Sequence, residues 1–184
     1  MNPDDAAQAS GADACGENEG ATIASVQLTE LEMLSANPAY FTDRLQWRMR
    51  LECLEELPEP ITVAFTWIGS AKSDEHDQLL GEFDIGPLTL EVNEVVLEHD
   101  APQIGLIPAD ELFELTGLYI TLSYRGERFL RVNYFAKVAF WDNEHMLNPP
   151  AHLDLSYIGR NMLMDRPNVL TFPVDWDSFA KGAV

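Results

Sequence analysis

The residues best suited to chemistry lie in Gly69-Ser-Ala-Lys-Ser-Asp-Glu-His-Asp77, where Asp74, Glu75 and Asp77 flank His76. Three carboxylates and an imidazole so close together could hold a metal ion or move protons. The spacing fits neither use. A calcium loop needs oxygen ligands at regular positions, a central glycine and a bidentate Glu at its end, and that order is missing. His76, His99, His145 and His152 are scattered, and none has a Cys or a second His at ligand spacing, which argues against zinc. Ile68-Gly69-Ser70-Ala71 lacks the second glycine of a nucleophile elbow. Glu55 and Glu56 cannot work as a glycosidase pair, because consecutive residues of a strand point to opposite faces. The expectation is a protein that is not an enzyme, with no catalytic residue, metal or cofactor.

What remains is charge. The chain has 184 residues and a formal net charge of −20. Residues 51–114 hold 16 acids and one base, Lys72, for a net −15, and residues 1–21 hold five acids and no base. The other segments balance. Such a field repels nucleic acid and anionic membranes and attracts cationic partners. No apolar run approaches the roughly 20 residues of a membrane span, and the acidic N-terminus lacks the basic region of a secretion signal. Cys15 and Cys53 form no disulfide framework, so a soluble, intracellular protein in a reducing compartment is expected.

The elements that would carry this charge read as strands. Leu45, Trp47, Met49, Leu51 and Cys53 alternate with polar residues, the period of a strand with one dry face. Ile61, Val63, Phe65 and Trp67 repeat the pattern after the turn at Glu59-Pro60. Further strands are expected over 83–85, 88–97 and 115–124, and Arg125-Gly126 reads as a hairpin turn into 129–138. Residues 108–114 read as a short helical turn, 157–164 as a brief helix, and Leu170 to Trp176 as a closing strand. Trp47, Phe65, Trp67, Tyr124, Phe129 and Trp176 fall on apolar faces and read as core, whereas Arg131 would project beside Asn133 from the outer face of the hairpin. Many short strands and few helices indicate an all-β, immunoglobulin-like antiparallel β-sandwich over 22–177. A disordered acidic tail over 1–21 and a short tail over 178–184 would flank it.

Several motifs stand in order at characteristic spacing: Trp67-Ile-Gly-Ser-Ala71, Asp77-Gln78, Gly86-Pro87, Asp100-Ala-Pro102, Gly105-Leu-Ile-Pro108, Tyr124-Arg-Gly126, Phe129-Leu-Arg-Val132, Asn148-Pro-Pro150, Arg160-Asn161 and Asp175-Trp176. Together, over roughly residues 26–177, the chain resembles the anti-silencing-function family of histone chaperones. The resemblance implies an immunoglobulin-like sandwich that binds a histone H3–H4 dimer, blocks its tetramerisation face and serves nucleosome assembly and disassembly in the nucleus, with the cytoplasm as a second location.

Carried over by position, the resemblance places a histone H3 surface on Ile68, Ala71, Asp77, Glu111, Leu115, Thr116, Gly117, Tyr119 and Arg131. The histone H4 tail would add as a strand near Tyr134, Leu163, Pro167 and Val169. A second surface, for basic peptides of HIRA-type or chromatin-assembly-factor partners, maps to Leu51, Glu59, Phe83 and Ile85, and a Tousled-like kinase is a further implied partner. Three departures stand out: Gly117 replaces a usual β-branched residue, Lys72 a usual acid, and Pro60 and Gly81 acids of the second surface. The chain is expected to be a monomer. The competing expectation is an acidic immunoglobulin-like adaptor that binds basic segments of nuclear proteins or kinases.

Overall fold

The computed structural model describes residues 24–176. The two tails expected over 1–21 and 178–184 lie outside the described residues. Among the described residues ten strands form two antiparallel sheets, joined by short 3-10 turns and one short α-helix. The smaller sheet has the order β1 (Val26–Met33), β3 (Leu45–Cys53), β6 (Glu91–His99). The larger has the order β2 (Ala39–Tyr40), β9 (Ile158–Met162), β8 (Glu127–Phe140), β7 (Leu115–Tyr124), β4 (Ile61–Ile68), β5 (Gln78–Ile85), with β10 (Asn168–Thr171) also paired to β8. The fold is thus the all-β sandwich the alternation indicates.

Strict alternation explains the central strands. On β3 every second residue from Leu45 to Cys53 is buried, and on β4 the same holds from Ile61 to Trp67. Their inward faces meet β7 and β8 to make one core. Trp47 stacks on Tyr134 at 5.6 Å and tilts against Phe65 at 6.1 Å, so the aromatic side chains join the two sheets. The Arg125-Gly126 turn forms as expected, with φ of 49° and 80° at its two central residues.

Three expectations need correction. Residues 157–164 are not helical: a 3-10 turn over Leu155–Tyr157 leads into β9, whose Ile158, Arg160 and Met162 face inward while it pairs with β8. Residues 108–114 make successive turns through Glu111 N–H to Pro108 carbonyl and Glu114 N–H to Glu111 carbonyl bonds, without an α-helix. The helix that does form is α1 (Asn143–Leu147), whose first turn is capped by the Asp142 carboxylate accepting from His145 N–H at 2.8 Å. The closing strand is only β10; beyond it Phe172 N–H still donates to the Phe129 carbonyl at 3.0 Å, but residues 172–174 are not strand. Strand β1 escapes the alternation rule because its register shifts between Leu28 and Glu30.

The acidic block divides once the strands are paired. On the outer face of the small sheet, Arg50 meets Glu30 and Glu94, each at 2.8 Å, Arg44 meets Glu98 and Asp100, and Arg48 meets Glu32. Glu94 and Glu98 of β6 are therefore ion-pair partners of Arg50 and Arg44. Each exposed pair adds little stability, and together the three arginines offset part of the negative charge of the five carboxylates on that face.

Two buried polar residues hold the sandwich ends. The Arg160 guanidinium is buried and donates to the carbonyls of Phe41 and Asp43, and desolvation pulls it down to about 10. His99 is also buried: its Nε2 accepts from Trp47 Nε1 at 3.2 Å, and its Nδ1 lies 2.9 Å from the Asp100 carbonyl, to which it must donate. Burial pushes the His99 imidazole below its ordinary value, so the folded protein holds it neutral.

Two outcomes are expected. Arg160→Met strands two carbonyls and should cost about 2 kcal/mol or more, measured by chemical denaturation. For His99 the depressed folded value means that stability is fully present above about pH 6.5 and declines as the pH falls below it. Melting curves should drop between pH 7 and 5.5 in the wild type. They should drop less in His99→Gln, whose amide can make both hydrogen bonds without titrating.

Candidate functional site

The outer face of the large sheet carries a shallow cleft of about 350 Å³ whose lining includes Ile68, Ala71, Asp77, Tyr119, Arg131 and Asn133. Register places these side chains. Ile68 ends β4 opposite Gly117, Tyr119 on β7 pairs with Asn133 on β8, and Arg131 stands two residues before Asn133 on the same face. Asp77 follows the 3-10 turn Asp74–His76, whose cap is the Ser73 hydroxyl accepting from Glu75 N–H.

The three polar groups form a connected set. Asp77 Oδ2 accepts from the Tyr119 hydroxyl at 3.1 Å, and Oδ1 accepts from Gly69 N–H at 3.3 Å. The Arg131 guanidinium lies 4.4 Å from the centre of the Tyr119 ring, a cation–π contact. Burial, reinforced by the Asp77 charge, pushes the Tyr119 phenol up, so it stays a donor. Burial also pulls Arg131 down, with Arg128 adding repulsion. Arg131 Nε and Asn133 Oδ1 have no hydrogen-bond partner among the described residues. Both atoms are buried, so they lie beneath the cleft surface and are not offered to a ligand.

The rim is partly neutralised. Glu111 accepts from the Ser70 hydroxyl and lies 3.3 Å from Lys72 Nζ. Ser70 first, and Lys72 with it, hold the Glu111 carboxyl below the usual carboxylate range. Thr116 spends its hydroxyl on the Ile68 carbonyl, whereas Leu115 is 59% exposed beside the cleft. Gly117, next along β7, sits at a close strand approach: a Cβ there would lie 2.5 Å from the Tyr134 carbonyl oxygen.

The other expected sets fare differently. Leu163, Pro167 and Val169 are exposed along the β9–β10 connection and β10, but Tyr134 is only 5% exposed and packs in the core. Val169 also lines an apolar groove of about 720 Å³ between β1 and β10, together with Leu28, Phe129 and Val174, which the sequence did not reveal. Of the second surface, Leu51 is 0% exposed and Ile85 is buried, so neither side chain reaches a partner. Glu59 pairs with Arg125 at 3.0 Å, and Phe83 is partly buried on edge strand β5. The structure thus brings together the first set around the cleft, splits the second between edge and core, and leaves half of the third inside. Ser70 and the Lys72–Glu111 pair were missed because their role depends on a contact between loops 41 residues apart at Ser70 and Glu111.

A sandwich that presents a connected acid–phenol–guanidinium set beside apolar side chains has the form of a binding module. Comparison with known proteins says of which kind: residues 23–177 match the family described as ASF1 like histone chaperone, and the chain belongs to that family. It is 37% identical over 153 residues to the histone chaperone ASF1 of Candida albicans, covering 83% of this chain and 62% of that relative. It is 37% identical over 157 residues to the histone chaperone ASF1 of Saccharomyces cerevisiae, covering 85% and 56%. For the histone chaperone ASF1 of Chaetomium globosum the identity is 38% over 140 residues, covering 76% and 51%. The chain therefore spans only part of the length of these relatives. The family is one of non-enzymatic binding proteins.

Because Gly117 fills a place where backbone meets backbone, Gly117→Val should destabilise the fold by about 1–3 kcal/mol. A urea midpoint that is unchanged would show that β7 and β8 separate freely there.

Proposed function

We propose that the chain binds a histone H3–H4 dimer through the cleft around Asp77, Tyr119 and Arg131, covers the face used for tetramerisation, and delivers the dimer for nucleosome assembly and disassembly. The observation that carries this reading is the cleft itself. Its apolar side chains Ile68 and Ala71, with exposed Leu115 beside them, offer burial, while Asp77 and Asp74 offer charge to a basic helix. In such interfaces apolar contact provides most of the affinity, and carboxylates orient the cation and reject wrong partners. Asp77 already spends one oxygen on Tyr119 and one on Gly69, so it is held in place before a partner arrives.

The histone H4 tail is proposed to add as a strand along β10, which pairs with β8 on one side only among the described residues. An added strand gains backbone hydrogen bonds, and an apolar side chain beside Val169 could enter the neighbouring groove. HIRA-type, chromatin-assembly-factor and Tousled-like kinase partners are proposed to use the β5 edge, through Glu59 and Phe83 and without direct contact from Leu51 or Ile85. Nuclear residence and a monomeric state follow from the same reading. Gly117 has a packing role, through its close approach to the β8 backbone, and so does not by itself favour an adaptor without histone affinity.

Mixing the purified chain with H3–H4 and sizing the product tests the proposal. A complex of one chain with one dimer is expected, and recovery of free chain beside intact tetramer would overturn it. Asp77→Arg should weaken that complex by about 2 kcal/mol or more, read by titration calorimetry. Unchanged affinity would remove Asp77 from the interface.

A further inference from the structure

At the β2 end of the large sheet, away from the cleft, Tyr40 and Trp141 meet with ring centres 5.3 Å apart and planes inclined at 72°. They form an open corner. Tyr40 is 50% exposed and Trp141 is 43% exposed, so both rings present faces to solvent. The corner encloses about 250 Å³, floored by Ala36, Pro38 and Ala39 and closed on one side by Asp43.

The backbone builds this corner deliberately. Tyr40 pairs in register with Gly159 on β9, and the Trp141 ring lies directly over Gly159: a Cβ there would come within 2.7 Å of the indole. Trp141 N–H donates to the Tyr157 carbonyl at 2.8 Å, which fixes the residue at the end of β8. Asp43 is fixed in turn, because Oδ2 accepts from Tyr40 N–H at 3.1 Å. The buried Arg160 points to the opposite face of β9 and donates to the Phe41 and Asp43 carbonyls, attracting the Asp43 carboxylate from behind the corner without entering it.

Two ring faces at a wide angle attract a cation through their quadrupoles, and a carboxylate beside them adds Coulomb attraction. The floor is apolar and offers a bare ammonium no hydrogen-bond acceptors in place of its water. An alkylated ammonium loses less hydration on entry and gains contact with the rings. We infer that the Tyr40–Trp141–Asp43 corner is a site for the alkylammonium side chain of a basic protein segment, a lysine taken preferentially in its methylated forms. The chain's charge of −20 favours a basic polypeptide as the source over an anionic lipid surface. The inference shares no residue with the cleft.

The test exploits the tryptophans. Trp47, Trp67 and Trp176 are buried, so a soluble cation should move only the Trp141 indole N–H signal in a nitrogen–proton spectrum. The full chain would be titrated with acetyl-Ala-trimethyl-Lys-Ala-amide, its unmethylated form, and an isostere carrying a neutral quaternary carbon. The trimethylated peptide should bind about tenfold more tightly than the isostere, and more tightly than the unmethylated form. Tyr40→Ala should weaken it about tenfold, Tyr40→Phe should preserve it, and Asp77→Arg should leave it unchanged. Equal binding of the isostere, unmoved affinity in a folded Tyr40→Ala, or engagement of phosphocholine vesicles in place of the peptide would each overturn the inference.

Discussion

The structure depends on the register of one strand. β8 runs fourteen residues from Glu127 to Phe140, paired along one edge with β7 and along the other with β10 and then β9. Alternation along it sends Val132, Tyr134, Ala136 and Val138 into the core and leaves Arg131 and Asn133 in the cleft. A slip of one residue would exchange these sets, exposing the core and burying a guanidinium. Ladders on both edges make that slip costly. The same hydrogen bonds that close the sandwich therefore also aim the binding groups.

Electrostatics is arranged around this frame. The three arginines on or beside β3 sit where the sequence looks neutral, yet their partners lie on β1 and on β6, within or next to β6's acidic run. Pairing them offsets part of the negative charge on the small sheet. Further acids stand on the large sheet and its loops, Asp74, Asp77, Glu82 and Asp84 among them. Lys72 tempers one rim of the cleft by engaging Glu111 at 3.3 Å. A partner at the cleft thus meets carboxylates beside apolar side chains.

Much of this was legible in the sequence wherever period-two alternation was strict. β3, β4, β7 and β8 declare themselves because each has one dry face, and Arg131 and Asn133 follow as outward residues of the same hairpin. β1 and β9 did not, since one carries a bulge and acids, and the other is five residues long with arginine turned inward. Asp77 could be nominated by resemblance, but its bond to Tyr119 spans 42 positions and only folding brings the two together. Leu51 and Ile85 show the reverse error: a residue carried over by position can lie beneath a surface and never reach it.

The outermost strand of the large sheet has a consequence of its own. β5 ends the order of pairing, and its exposed side chains include Glu82 and Asp84. An unpaired edge is ordinarily an invitation to any passing strand, a second copy of the chain among them. Here two copies laid edge to edge would set carboxylate against carboxylate, while a strand bearing lysine or arginine would meet no such barrier. The margin of the sheet acts as a turnstile, closed to its own kind and open to chains of opposite charge.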